Sequence, residues 1–141
     1  MSVPAPGPPT AHRWKAAAGL LGLGLGFLGA HRLYLRARAW WVYPLLALPA
    51  LGWALRTQEW YRTPAAFLAA LVWAVAVVES IVFCLTPDAA WDARHNPASE
   101  RRSASGWGPV LVAILAGALG AILVISVLAI AVETWMAARG R

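Results

Sequence analysis

The sequence predicts an all-α, polytopic helical membrane protein with about four transmembrane helices. Its composition is the first reason, since 60% of the residues are hydrophobic and 13% are charged, against roughly 25% charged residues in soluble domains. The second reason is a set of four apolar stretches that contain at most one charged residue each, residues 16–30, 39–55, 65–85 and 110–132. We therefore expect the lipid bilayer to be the main partner of this chain.

The lengths of the four stretches divide them into two pairs. A helix needs roughly 20 residues to cross a hydrocarbon core of about 30 Å, so the third and fourth stretches are long enough to span. The first two are short. Either polar residues at the ends of the first stretch snorkel to complete a full span, or the first two stretches form a short hairpin that re-enters the same side. The residues that would snorkel are Trp14, Lys15, His31, Arg32 and Tyr34.

The first stretch also has the length of a signal-peptide core, and Arg13 and Lys15 precede it. A cleavage site needs small residues at its end. Leu28 stands where a small residue is expected if cleavage followed Ala30, which favours a retained helix.

The chain divides into five segments by composition. Residues 1–13 form a proline-rich leader that is expected to be disordered, and residues 14–85 form a membrane domain of three apolar helices. Residues 86–108 are expected to hold a short cap helix, from about Pro87 to His95, which Asn96-Pro97 ends, and then a flexible linker. Residues 109–135 form the last transmembrane helix and residues 136–141 a basic tail. Trp91 is expected to lie on the headgroup layer, with Asp88, Asp92 and Arg94 facing water.

The net charge of +6 is carried by short loops beside apolar stretches. This position favours anionic lipid headgroups as partners and needs no nucleic acid. With four spans, one side would carry Arg13, Lys15, Arg56, Arg62, Arg139 and Arg141. The other would carry Arg32, Arg36, Arg38, Arg94, Arg101 and Arg102. Six basic residues on each side leave the membrane orientation undetermined.

Four glycines recur at helical spacing in the first stretch: Gly19, Gly22, Gly26 and Gly29. They are expected to form one face of a helix that a neighbouring backbone approaches closely, either in the same chain or in a second copy. A looser series, Ala113, Gly117, Gly120 and Ala121, lies in the fourth stretch. Residues 24–29 also match G-x-G-x-x-G, but Pro44 and Leu45 stand where a dinucleotide site needs an acid.

Glu79 is the one acidic residue inside the four apolar stretches. A charge at mid-membrane costs about 2.5 to 3.5 kcal/mol, so this residue needs an explanation. Three roles are open: a proton or cation site, a docking group for a basic side chain, or a packing residue bonded to Ser80 or another helix. His31 and Arg32 anchor the turn at the interface, bind lipid phosphate, or clamp Glu79.

The turn after the glycine series reads Gly-Phe-Leu-Gly-Ala-His-Arg-Leu-Tyr-Leu over residues 26–35. It resembles the signature of the TM2 domain family, small membrane proteins built around a helical hairpin. The likeness runs from about Arg13 to Leu85, and this chain looks like an expanded bacterial variant. The family usually has glycine where Arg36 stands and phenylalanine where Leu33 stands. The turn positions that carry the resemblance are Gly26, Gly29, Ala30, His31, Arg32 and Tyr34.

The sequence holds no G-x-S-x-G, H-E-x-x-H or P-loop pattern, so we expect no enzyme and no cofactor. Asp88, Asp92 and His95 share a helix face, which we interpret as a solvated surface and not as a metal site. The expected function is a structural or interaction module in a bacterial inner membrane, with a second copy or another membrane protein as partner. The alternative is a small oligomeric conductor of ions or solutes with Glu79 along its path.

Overall fold

The computed structural model describes residues 11–140 and is helical, with no β-strand in that part of the chain. Residues 1–10 of the proline-rich leader and Arg141 lie outside the described residues. Two 3₁₀ turns, Gly26–Leu28 and Trp60–Arg62, accompany the helices. The described part of the chain has six helices: α1 (Lys15–Leu25), α2 (Ala30–Tyr34), α3 (Val42–Ala54), α4 (Pro64–Leu85), α5 (Asp88–His95) and α6 (Trp107–Arg139).

Helix α4 lies at the centre and packs against α1, α3 and α6. It begins where the Thr63 side chain accepts a hydrogen bond from the Ala66 backbone at 3.1 Å, with Pro64 at the first helical position. It ends before Pro87, which cannot continue the backbone hydrogen bonds of a helix. We call its two ends the Pro64 end and the Leu85 end.

The first apolar stretch does not form one continuous helix. Helix α1 ends at Leu25, and Gly29 then adopts a left-handed φ of +68° that reverses the chain into α2. The Tyr34 hydroxyl consequently accepts a hydrogen bond from the Trp14 backbone at 2.9 Å, so the stretch returns to its starting level. Four full spans are not confirmed, and a hairpin does occur, although α1 pairs with α2 and not with the second stretch.

The glycine face of α1 is filled by the chain's own α4. A Cβ at Gly19 would lie 2.5 Å from Cys84 Sγ, one at Gly22 would collide with Ser80 Oγ, and one at Gly26 would collide with the Ala76 methyl group. Gly29 was expected on the same face, which is wrong. It lies beyond the end of the helix at the reversal, against the Trp40 carbonyl oxygen.

Helix α3 covers the Pro64 half of α4, while the α1–α2 hairpin covers the Leu85 half. Tyr43 and Ala47 of α3 pack with Val72 and Ala76 of α4. Helix α3 has 13 residues, which extend about 20 Å. It is therefore shorter than the predicted stretch of residues 39–55. Helix α3 and the α1–α2 hairpin together cover the length of α4.

Helix α6 runs antiparallel to α4 along its other side. Its first turns pack beside Cys84, Ala116 packs beside Val77, and Glu133 pairs with Arg62 at the Pro64 end. In the looser small-residue series, Ala113 is buried and Gly120 approaches Val77, but Gly117 faces open space. Within residues 11–140, α4 and α6 are the two helices that are long and apolar enough, by length and composition, to cross a membrane.

The cap helix α5 forms where the sequence predicts it, but its orientation differs from the expectation. Trp91 is only 1% exposed and packs against Ala18 and Leu35, so it does not lie on the headgroup layer. Asp92 is also buried and does not face water. The reason is that the hairpin brings α1 and α2 back to the Leu85 end, where they cover the apolar side of α5.

Candidate functional site

Glu79 lies six residues before the Leu85 end of α4, and its carboxylate is held by three side chains from the two elements that precede α4. His31 Nε2 lies 2.6 Å from Oε2, and the Tyr43 hydroxyl donates to the same oxygen at 2.8 Å. Arg32 donates from Nε to Oε2 at 3.1 Å and from a terminal nitrogen to Oε1. We call these four residues the Glu79 cluster.

The local fold explains why these donors converge. The left-handed Gly29 starts α2, so His31 and Arg32 lie on the short helix that follows the reversal, where both side chains reach Glu79 of α4. Tyr43 lies in the first turn of α3 and presents its hydroxyl to the same carboxylate. The rings of His31 and Tyr43 meet edge to face at 5.1 Å, and the Arg32 guanidinium lies 5.4 Å from the Tyr43 ring centre. Aromatic contacts thus orient the donors.

The arrangement neutralises the negative charge of Glu79 and leaves its carboxylate little capacity to accept a hydrogen bond from a ligand. His31 is fully buried, and the side chain of Glu79 is 20% exposed. Arg32 supplies the opposite charge in a two-pronged contact, a geometry that suits a carboxylate. The Glu79 cluster therefore joins α2, α3 and α4 at a single point.

A second polar cluster fixes residues 12–15 to α5. The Asn96 side chain accepts from the Arg13 backbone at 2.8 Å and donates to the Arg13 carbonyl oxygen at 3.1 Å. Trp91 Nε1 donates to the same carbonyl oxygen at 2.8 Å. Asn96 also donates to Asp92 at 2.9 Å. Arg13, the last residue of the predicted leader, is therefore bonded to a helix some 80 residues later and is not disordered, although disorder was expected for residues 1–13.

The linker after α5 is bonded to the two acids of that helix. Ser103 donates from its backbone and hydroxyl to Asp92, and Ser105 does the same to Asp88. Lys15 pairs with Asp88 and donates to the Thr86 carbonyl oxygen at 2.8 Å, so it is buried and does not snorkel.

Each of these acids has a pKa of about 2, below its usual range. Lys15 and then Ser105 lower the pKa of Asp88, while Asn96 and then Ser103 lower that of Asp92. Both carboxylates are therefore ionised throughout the physiological range.

A cleft of about 460 Å³ opens between α2, α4 and α5 at the Leu85 end. Its polar side includes Arg32, Arg94 and His95, and its apolar side includes Leu35, Val78 and Val82. We call it the basic cleft. Burial and then the charges of Arg94 and Arg13 lower the pKa of His95, which favours the neutral form of its ring.

The structure brings His31, Arg32 and Glu79 together, which was one of the alternatives that the sequence left open. Tyr43 was missed because a tyrosine at the start of an apolar stretch also fits an interfacial aromatic residue. Asn96 was interpreted only as a helix stop. Asp88, Asp92 and His95 do not converge, and residues 11–140 contain no group of three such side chains that fits a metal ion.

No family model, no curated protein and no solved structure matches this chain.

Proposed function

We propose that this chain is a multi-pass membrane protein, in a bacterial inner membrane, that acts as a structural or interaction module. In this proposal its basic turn and glycine face assemble the chain's own helices. A membrane protein partner or a second copy then contacts the exposed apolar surface of α6 and α3. Enzymatic chemistry is not part of the proposal.

The observation that carries the proposal is that side chains of this chain occupy the hydrogen-bonding capacity of the Glu79 carboxylate. A carboxylate that conducts ions must exchange partners with water or with the ion. The Glu79 carboxylate instead accepts bonds from three side chains, one of them the fully buried His31. Its role as a junction between helices explains why an ionisable residue occupies a costly position.

The backbone at Arg36 supports the proposed likeness to TM2 domain proteins. Arg36 is the one non-glycine residue with positive φ in residues 11–140, at +56°. The resemblance implies glycine at this position, and glycine is the residue that adopts such a conformation without steric cost. The helical hairpin of that family corresponds, in this proposal, to the region from α1 to α4.

A specific observation also favours the alternative of an oligomeric conductor. Glu79 lines the basic cleft, which is open to the surface. If several copies faced one another across this cleft, Glu79 would border a shared path. Removal of the Glu79 charge should destabilise a structural module, whereas it should abolish the flux through a conductor.

The substitution Glu79→Gln separates them. Glutamine keeps the shape but presents an amide group toward Arg32, whose charge is then left without its partner. We expect a loss of about 1 to 3 kcal/mol in the free energy of unfolding, the cost of leaving a partly buried polar group without its hydrogen-bond partner. The measurement is denaturant unfolding of purified protein in detergent, beside ion flux in liposomes.

Glu59→Gln is the matched control, because the Glu59 side chain is 68% exposed and lies 3.7 Å from Arg62. It should unfold like the wild type. The proposal fails if wild-type liposomes carry a flux that Glu79→Gln abolishes while the unfolding curve stays unchanged. That result would establish the conductor.

A further inference from the structure

We propose that the basic cleft binds one anionic phospholipid, with its phosphate between Arg32 and Arg94 and one acyl chain along Val78 and Val82. The inference deepens the proposed function and rests on its membrane location. It gives the cleft a ligand, whereas the Glu79 cluster serves assembly.

The charges in the cleft favour an anion. Arg32 and Arg94 contribute two positive charges, and Glu79 contributes one negative charge. Arg94 makes no ion pair with any carboxylate in residues 11–140. Arg32 uses Nε and one terminal nitrogen for Glu79, so its other terminal nitrogen keeps donor capacity for a phosphate oxygen. His95 also lines the cleft and carries a ring N–H.

The shape of the cleft favours a lipid over a free anion. The polar groups of α5 lie near the Leu85 end, where the proposed span meets the headgroup layer. Val78 and Val82 lie deeper on the outer side of α4 and are 59% and 56% exposed. They are one helical turn apart, and the apolar strip that they form begins beside the polar groups of α5 and extends past the level of Glu79, where Arg32 is bonded. A diacyl phospholipid has its phosphate and its chain in this order along the membrane normal.

Native mass spectrometry of the full chain tests the inference. Purified protein in detergent is mixed with equal amounts of dioleoyl phosphatidylglycerol and dioleoyl phosphatidylcholine, and the bound lipids are counted. We expect the wild type to prefer phosphatidylglycerol and Arg94→Gln to lower this preference about fivefold, which is the usual effect of one basic group near anionic lipid. Arg102→Gln removes an equal charge from the same segment outside the cleft, and should leave the preference unchanged.

Two further arms identify the part of the lipid that is bound. Val82→Trp fills the apolar strip and should reduce phosphatidylglycerol binding without altering the arginines. Inorganic phosphate at millimolar concentration should not displace the lipid. Displacement by phosphate would show that the cleft binds a free anion and not a lipid, and would overturn the inference. Equal binding of the two lipids, or equal loss in Arg94→Gln and Arg102→Gln, would also overturn it.

The failure of this inference can be distinguished from failure of the proposed function. A protein that leaves native membranes in alkaline carbonate, without detergent, would contradict the membrane function itself. A protein that requires detergent but shows no preference for phosphatidylglycerol would contradict only the lipid site.

Discussion

The substitution Gly22→Ala gives the sharpest test of the packing between α1 and α4. A Cβ at position 22 would collide with Ser80 Oγ and lie 3.2 Å from the Ala76 carbonyl oxygen. Ser80 is fully buried and donates to that same carbonyl oxygen at 2.8 Å, so it cannot move without losing its bond. Added volume at such a site costs about 1 to 3 kcal/mol.

Gly24→Ala is the matched control, because a Cβ there meets nothing within 4 Å. Both substitutions replace glycine inside α1 and share the same gain in helix propensity, up to about 1 kcal/mol. The difference between the two variants therefore isolates the collision. We expect the free energy of unfolding of Gly22→Ala to be about 1 to 3 kcal/mol lower than that of Gly24→Ala. The measurement is titration with sodium dodecyl sulfate in mixed micelles.

A double variant verifies that Ser80 is the obstacle. Ser80→Ala removes the hydroxyl, so Gly22→Ala should cost less in that background by about 1 kcal/mol or more. If Gly22→Ala and Gly24→Ala unfold alike, the close contact between α1 and α4 is wrong. If Gly22→Ala leaves unfolding unchanged but shifts the oligomeric mass, the glycine face contacts a second copy instead.

Two further predictions concern the turn and the cap. Arg36→Gly should stabilise the protein by about 1 kcal/mol, because an L-residue with left-handed φ carries a steric cost, whereas Arg36→Ala should not; equal unfolding of the two variants would argue against the strained turn. Acid should release α5 from residues 12–15. The pKa of Asp88 and that of Asp92 are lower when folded, about 2, so their contribution is complete above about pH 4 and is lost as the pH falls toward 2. The fluorescence difference between wild type and Trp91→Phe, against pH, measures the release, and an unchanged difference at pH 2 would count against it.

The sequence predicted the helical class and the two long helices because length and hydropathy are properties of a single segment. It also placed α5 between a proline and an Asn-Pro stop. The reversal at Gly29 could not be predicted, since a glycine at helical spacing fits a packing face as well as a turn. The positive φ that decides between them depends on contacts with Trp40 and Tyr43.

The partners of Glu79 could be predicted only in part. His31 and Arg32 were candidates because an intramembrane acid requires donors and they are basic residues beside an apolar helix. Tyr43 carried no distinguishing signal. Its role follows from the antiparallel packing of α3 on α4, which brings residues 36 positions apart into contact. The buried position of Trp91 likewise depends on where the hairpin returns.

Because the hairpin returns to its starting side, the proposed membrane protein crosses the bilayer an odd number of times and not four times. In the proposed membrane protein, α4 and α6 cross, and the segment from Leu35 through α3 passes from the Leu85 side to the Pro64 side, while α1 and α2 enter and leave on one side. Residues 13 and 139 then face opposite compartments, and basic residues are no longer equally divided. The Leu85 side carries eight, namely Arg13, Lys15, Arg32, Arg36, Arg38, Arg94, Arg101 and Arg102. The other side carries four, namely Arg56, Arg62, Arg139 and, by sequence, Arg141. The positive-inside rule then orients the Leu85 side toward the cytoplasm, and the basic cleft opens to the leaflet whose surface is negatively charged.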